Sequence, residues 1–340
     1  MLHAVFVVPL SFLSVPLQYL RPLDSFQLTV KNSGLSSKRQ VKKFAMILFA
    51  LIAAGCAVAS AQEMEPRAYS RAPVGTQFVL LTYAYQSGDV FTDSSLPLRD
   101  VKVKLSSGSL AYGRTFGLAG RQAGASFFLP YIKGNASGTV FEDQLKVTRS
   151  GLGDVRMRFM INLIGSPALS PKEFAGYKTR TVVGASVSII APSGQYYPSR
   201  LVNLSSNRWA FKPEVGVSKP VGRWTLEMAG GAWLFTANNN FFGGSRREQK
   251  PLLSLQGSLI YTLRPRTWVA VNASYFSGGQ TIVNGVVNAD RQRNSRVGAT
   301  VSIPLNQQQS IKVAVAKGLT TQIGGHLSTV AVAWQYTWHK

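Results

Sequence analysis

The sequence predicts an all-β protein, a transmembrane antiparallel β-barrel of about 12 strands. Large apolar residues recur at every second position in successive segments, the charged residues of those segments fall on the alternate positions, and the connections alternate between short and long. Successive residues of a strand point to opposite faces, so each segment has one apolar and one polar face. A barrel in a membrane needs apolar side chains towards lipid and polar ones towards the lumen, its interior.

The last segment, 330–338, shows this alternation most clearly. Its apolar face holds Val330, Val332, Trp334, Tyr336 and Trp338, and its other face holds small or polar residues. Aromatic residues form girdles at the two membrane interfaces of such barrels. The three aromatic residues also resemble the C-terminal signal read by the outer-membrane assembly machinery. We therefore expect that machinery as a partner, through Trp334, Tyr336 and Trp338.

The preceding segments follow the same rule in chain order. They are 78–85, 101–112, 125–131, 155–163, 183–189, 209–217, 224–228, 253–263, 269–275, 297–303 and 311–315. In the second of them the apolar positions change parity after Leu105, and we interpret 106–108 as a β-bulge that absorbs the extra residue. The segments approach the roughly 9–11 residues that a tilted strand needs to cross the hydrocarbon layer.

The connections predict which end of the barrel faces the periplasm. Those at 117–121, 219–223, 264–266 and 306–309 are short, whereas 134–150, 192–207, 238–250 and 278–294 are long. Outer-membrane barrels have short periplasmic turns and longer extracellular loops. The longer inner connection, 166–178, contains Ser170 and Pro171, which predict a short helix there.

The charged residues of the strands are the candidate functional residues. A Lys or Arg facing lipid at mid-membrane costs about 2–4 kcal/mol, so we expect these side chains to face inward. The lumen-facing selectivity candidates are Lys102, Lys104, Arg156, Arg158, Lys212, Glu214, Arg296 and Lys312. Rings of Lys and Arg favour anions. Alternatively, these cations pair with Asp154, Glu214 and Glu227 and simply fill a narrow, closed barrel.

The composition is consistent with an exported membrane protein. The 340 residues carry a formal net charge of +23 and only 15% charged residues, which is low for a soluble domain. A basic balance is typical of nucleic-acid-binding proteins. The cations do not, however, cluster with aromatic residues on one face, and the chain has an export signal. We therefore expect no nucleic-acid partner.

The export signal defines the domain organisation. Lys42 and Lys43 precede an apolar run, 44–59, that is shorter than the ~20 residues of a membrane-spanning helix. A small-residue pattern ends at Ala61, so we expect a signal peptide over 41–61, cleaved after Ala61. Residues 1–40 are interpreted as an over-extended or disordered N-terminal segment, and 62–340 as the barrel. Cys56 lies inside the apolar run, although it also faintly resembles an acylation site.

Four short motifs resemble a known family. They are Asn207–Glu214, Ala191–Tyr196, Ser150–Asp154 and Arg291–Gly298. Together they resemble outer-membrane proteins grouped under the label "MetA-pathway of phenol degradation", and the resemblance extends over Ala68–Trp338. It implies an exported outer-membrane barrel that passes small hydrophobic or aromatic compounds. The family defines no catalytic residues.

These observations are compatible with three functions. The first is a passive channel for small aromatic or anionic solutes. The second is a closed structural barrel that binds surface lipid, with Arg246–Arg247 and Arg291–Arg293 near anionic lipopolysaccharide. The third, a hydrolase, would need His326 beside a serine. No motif predicts a cofactor or a metal, so we expect a non-enzyme whose partners are outer-membrane lipid and an unidentified small cargo.

Overall fold

The computed structural model describes residues 65–92, 98–140, 143–178, 180–200 and 202–339. The interpretation of 1–40, and the predicted signal peptide with its cleavage after Ala61, lie outside these residues. Most of the described chain is β-strand, with one short α-helix, α1 (Pro171–Gly176). In the described part of the chain, no helix has the length and apolar character to cross a membrane.

The strands are long at the two ends of the chain and shorter in the extracellular connections. In chain order they are β1 (Thr76–Phe91), β2 (Leu98–Leu118), β3 (Arg121–Val140), β4 (Asp143–Leu152), β5 (Arg156–Ile164), β6 (Val182–Ile190), β7 (Ala210–Val221), β8 (Trp224–Phe235), β9 (Asn238–Phe241), β10 (Ser245–Gln249), β11 (Leu252–Arg264), β12 (Thr267–Gly278), β13 (Thr281–Val283), β14 (Val286–Val287), β15 (Gln292–Pro304), β16 (Gln309–Thr321) and β17 (Gly324–His339).

Twelve of these strands close into an antiparallel barrel, because β1 pairs with both β2 and β17. Around the barrel the order is β1, β2, β3, β5, β6, β7, β8, β11, β12, β15, β16, β17. The predicted fold is confirmed, and each predicted segment matches one of these strands, although 155–163 and 209–217 each begin one residue before theirs. Closure gives the spanning strands partners on both sides, so their backbone N–H and C=O groups are hydrogen-bonded. Lipid offers no hydrogen bonds, so a spanning sheet must close in this way.

The extra strand, β4, continues the line of β5 towards the extracellular end. It pairs with the outer half of β3, whereas β5 pairs with the inner half. The break between them lies at Gly153–Val155, where the Gly153 N–H donates to the carbonyl oxygen of Pro130 at 2.9 Å. Proline has no N–H of its own, so the regular ladder is interrupted at this point.

The predicted orientation and helix agree with the structure. The tight turns at 119–120, 222–223 and 265–266 lie at the same end as Thr76 and His339, so this is the periplasmic end. Helix α1 lies at this end too. Ser170 caps it, and the Glu173 carboxylate accepts a hydrogen bond of 2.8 Å from the Ser170 N–H, which completes a capping box.

The prediction of long loops is wrong at 134–150 and incomplete at two other places. Most of 134–150 belongs to β3 and β4, which pair in register at the extracellular end of the barrel. Parts of 238–250 and 278–294 form β9, β10, β13 and β14, a second sheet of four strands. Glycine, serine and asparagine are typical of turns. In these segments, however, neighbouring strands satisfy the backbone, and the small side chains do not prevent pairing.

The predicted bulge at 106–108 is also wrong. These residues pair in an unbroken register with β1 on one side and β3 on the other. The apolar pattern changes parity because the surroundings change. Near the periplasm β2 turns Leu110 and Tyr112 towards lipid, whereas further out Val101 and Val103 point inward and pack with Leu327.

The candidate site: the barrel lumen

Residues in the described part of the chain line two adjoining cavities in the lumen, one above the other. The lower one has a volume of about 280 Å³, and the upper one about 210 Å³. Both touch Arg156 on β5, Phe128 on β3 and Ile190 on β6, so they meet at the same height in the barrel. The two differ in chemistry: charged and aromatic side chains line the lower cavity, and aliphatic side chains dominate the upper one.

The lower cavity contains a buried charge cluster on β5 and β7. The Glu214 carboxylate forms two ion pairs. One of its oxygens lies 2.9 Å from the Lys212 ammonium nitrogen, and the other lies 3.3 Å from a guanidinium nitrogen of Arg158. Lys212 and Glu214 are almost fully buried, and the Lys212 ammonium lies 5.3 Å from the ring centre of Trp233. Two cations share one carboxylate, so the cluster keeps a net positive charge.

Two further candidates of the sequence analysis face the lower cavity. Arg156 and Lys312 line it from β5 and β16. Altogether four cationic and two acidic side chains line this cavity. Arg296 also lies inside the barrel, where it is buried and donates a hydrogen bond of 3.2 Å to the Thr329 hydroxyl. It lines neither of the two cavities.

Lys102 and Lys104 lie on the outer wall, contrary to the prediction that they face the lumen. They share the parity of the exposed Leu110 and Tyr112, and both are exposed. Val103 and Leu105 occupy the lumen side and line the upper cavity. The prediction assumed that apolar residues always face lipid. That rule ends where the strand rises above the hydrocarbon layer.

The N-terminal strap, Glu65–Pro73, crosses the lower lumen and was missed in the sequence. At one end the Ala72 N–H donates a hydrogen bond of 3.0 Å to the Gln122 side chain on β3. At the other end the Arg67 N–H donates one of 2.6 Å to Glu227 on β8. The strap therefore joins β3 to β8, which stand four places apart in the order of strands around the barrel. Its residues Glu65, Pro66 and Ala68 line the lower cavity.

Tyr69 fixes the middle of the strap. Its hydroxyl donates a hydrogen bond of 3.0 Å to Glu214 and lies 3.1 Å from the Ser186 hydroxyl. Its ring fills a notch made by Gly184 and Gly216, because a Cβ atom at either glycine would approach the ring within 3.0 Å. The side chain is only 3% exposed, so the strap is anchored as firmly as a core residue.

The Arg67 side chain attaches the strap to β11 and β12. Its guanidinium donates a hydrogen bond of 3.1 Å to the Thr262 hydroxyl and lies 5.2 Å from the centre of the Trp268 ring. Trp233 and Trp268 face inward, unlike the aromatic residues of a lipid-facing girdle. Strand parity contains this signal, since Trp268 alternates in phase with Asn272 and Ser274. The strap itself has no periodicity that could reveal it.

The upper cavity is closed in part by the connection between β6 and β7. Val202, Leu204 and Arg208 of this connection line it. Arg208 is 4% exposed, donates a hydrogen bond to Gln249 and lies with its guanidinium carbon 4.4 Å from the centre of the Phe235 ring. Burial, and then the charge of Arg247, lower the pKa of Arg208 to about 9. Arg208 thus remains charged at neutral pH.

His326, the candidate for a hydrolase, lies at the extracellular end of β17. Its Nδ1 atom is 3.2 Å from the Thr321 hydroxyl, and its ring centre is 5.8 Å from that of Phe91. His339 is at the opposite end, with its Nδ1 atom 3.1 Å from the Thr76 hydroxyl. The hydrogen bonds found for the described residues thus join both histidines to threonine.

Residues 85–335 match the family described as "Putative MetA-pathway of phenol degradation". The chain belongs to this family. The MetA-pathway match spans most of the barrel, from within β1 to within β17, and confirms the resemblance seen in the sequence motifs. No protein with a curated description matches the chain.

Among solved structures, this MetA-pathway protein is similar to the COG4313 outer membrane channel from Pseudomonas putida F1. The identity is 21%, the match covers 81% of this chain and 99% of that chain, and the TM-score is 0.69. The likeness shows a shared fold. Two further matches are the transport unit of the autotransporter AIDA-I from Escherichia coli and the KdgM porin in complex with disordered oligogalacturonate. For AIDA-I the identity is 11%, the match covers 90% of this chain and 98% of that chain, and the TM-score is 0.47. For KdgM the identity is 9%, the match covers 76% of this chain and 99% of that chain, and the TM-score is 0.44. At these TM-scores the two add nothing to the assignment.

Proposed function

We propose that the protein is an outer-membrane channel through which small solutes with an apolar or aromatic body and an anionic group diffuse passively. The observation that carries this proposal is the lower cavity, where four cations and two carboxylates lie beside inward-facing tryptophans. Cations that line a pore favour anions. Aromatic side chains offer such a solute a surface for its ring.

The upper cavity supports the apolar part of the proposed cargo. Its lining includes Val103, Leu105, Ile132 and Phe128. Ligand sites commonly combine an apolar lining with a few placed polar groups. Arg156 touches both cavities, so a solute that leaves the aliphatic upper part meets a cation at the junction. The family's name, which refers to phenol degradation, is consistent with an aromatic cargo.

The N-terminal strap sets the width of the proposed path. It occupies part of the lower lumen, between the Gln122 and Glu227 walls. Passage therefore runs beside the strap, past Arg156 and Lys312, or requires the strap to move. A basic path that is narrow in this way would admit small anions and exclude polymers.

Planar-bilayer recording and liposome uptake test this proposal. We expect the purified full-length barrel to conduct with a preference for chloride over potassium, and benzoate to enter proteoliposomes faster than benzylamine of similar size. Protein-free liposomes and an unrelated closed barrel serve as controls. A barrel that neither conducts nor speeds benzoate entry would contradict the proposal and favour the closed, surface-binding barrel.

A further inference from the structure

Four lysines form a patch on the outer wall of the barrel. Lys102 and Lys104 lie on β2, Lys133 on β3 and Lys146 on β4, and all four are exposed. We call them the lysine patch. Each shares the parity of lipid-facing residues lower on its strand, such as Tyr131 on β3. The patch therefore points away from the lumen, towards the surrounding membrane.

Strand register brings the four lysines together. Lys102 lies opposite Ser137, which lies opposite Lys146, so these two lysines are in one row across three strands. Lys104 lies opposite Asn135, two residues from Lys133. Strands are about 4.8 Å apart, and alternate residues of a strand about 7 Å apart. Adjacent lysines of the patch are thus about 10 Å apart or less, within the reach of their flexible side chains.

The patch lies directly above the lipid-facing tyrosines. Tyr85 on β1 is opposite Ser106, and Ser106 is opposite Lys133. One step further out Lys104 follows on β2. Aromatic residues mark the membrane interface in such barrels. A lysine in this position destabilises the barrel little, because the free-energy penalty for a charged side chain on the lipid-facing wall decreases from the middle of the membrane towards the interface.

The charge of the patch is not neutralised within the described structure. The ion pairs found among the described residues join Arg158 and Lys212 to Glu214, and Arg246 to Glu248, and involve none of the four lysines. Asp89 on β1 lies opposite Lys102, Asp100 precedes Lys102 on β2, and the exposed Asp143 lies three residues before Lys146 on β4. Among the described residues, four lysines against three carboxylates leave the surface positive.

Outward cations are sparser elsewhere on the extracellular rim. At the extracellular ends of β8 and β11 the outward side chains are Leu234 and Leu253, both exposed and uncharged, as is Trp209 just before β7. On β15 and β16 single exposed cations, Arg293 and Lys317, share the outward parity. The lysine patch is therefore distinguished by four lysines on three neighbouring strands.

We propose that the lysine patch binds the phosphate groups of the glycolipid of the outer leaflet, lipopolysaccharide, with its acyl chains lying against the wall below Tyr131 and Tyr85. Each lysine near an anionic membrane surface adds to the attraction, and together they select a lipid with more than one phosphate. The inference does not depend on the proposed channel function.

Lipid A is the probe that tests it. The full-length protein is reconstituted in phosphatidylcholine nanodiscs, and lipid A retained after delipidation is counted by native mass spectrometry. We expect wild type to retain lipid A and to unfold at a higher temperature in its presence. The variant Lys102→Gln/Lys104→Gln/Lys133→Gln/Lys146→Gln should bind it about tenfold more weakly or worse.

Three controls separate the patch from general charge and from folding. The variant Lys172→Gln/Lys178→Gln/Lys219→Gln/Arg223→Gln removes four cations at the periplasmic end and should bind as wild type does. Replacing the four patch lysines by arginine should preserve binding. Dephosphorylated lipid A and inorganic phosphate should each fail to compete. Unchanged retention by the glutamine variant, or equal retention of dephosphorylated lipid A, would overturn the proposal.

Discussion

The Tyr69 hydroxyl donates a hydrogen bond of 3.0 Å to the Glu214 carboxylate, which also holds Lys212 and Arg158. One carboxylate thus organises both the N-terminal strap and the cations of the lower lumen. A substitution of Glu214 should alter the contacts of both the strap and the cations. A substitution in the glycine notch should displace the strap and leave the cations in place. The two effects can therefore be separated by mutation.

The glycine notch predicts a way to displace the strap. In Gly216→Ala the new Cβ atom would meet the Tyr69 ring within 3.0 Å. Overpacking of this kind costs about 1–3 kcal/mol, so we expect Tyr69 to leave the notch and the strap to loosen. Single-channel conductance should then rise. Gly108→Ala, where a Cβ atom meets nothing within 4 Å, is the matched control. Equal conductance in both variants would show that the strap does not limit flow.

The lumen cations predict the ion preference. We expect Arg156→Gln/Lys312→Gln to lower the permeability of chloride relative to potassium, because both side chains line the lower cavity. The reversal potential in a KCl gradient measures this. Lys219→Gln/Lys317→Gln removes the same charge from exposed positions and should leave the reversal potential where it is. A shift of the same size in the control would indicate a general surface effect.

Glu214 is predicted to stabilise the folded barrel. Glu214→Gln leaves the buried Lys212 and the partly buried Arg158 without their carboxylate. Removing one partner of a buried ion pair costs about 3–5 kcal/mol. We expect a lower guanidinium midpoint in detergent, read from tryptophan fluorescence. Glu248→Gln breaks the exposed pair with Arg246 and should cost about 1 kcal/mol or less. Similar midpoints for the two variants would contradict this account.

The C-terminal aromatics are predicted to direct assembly. The Trp338 ring lies 5.6 Å from that of Tyr336 and 6.3 Å from that of Tyr112, centre to centre, and its backbone pairs with Gln77 on β1. We expect deletion of Trp338–Lys340 to abolish insertion into the outer membrane, detected by loss of the heat-modifiable band in membrane fractions. Deletion of His339–Lys340 alone should permit insertion. Normal insertion of the longer deletion would mean that these aromatics form a girdle and not a signal.

The barrel can be predicted from the amino-acid sequence alone. Lipid offers no hydrogen bonds, so it imposes period-two alternation and closure on every spanning segment, and this rule can be read residue by residue. Twelve segments, their orientation and the inward placement of Arg158, Lys212 and Glu214 follow from it. The capped helix at Ser170 follows from an equally local rule.

The outward lysines of β2 and the N-terminal strap depend on tertiary contacts, which the alternation rule does not predict. Above the hydrocarbon layer either face of a strand can be apolar. The packing of Val103 against Leu327 inside the barrel therefore decides that Lys102 and Lys104 face outward. The strap has no periodicity, and its place depends on Tyr69 meeting a notch whose two glycines are more than a hundred residues away in sequence. Such contacts exist only once the barrel has closed.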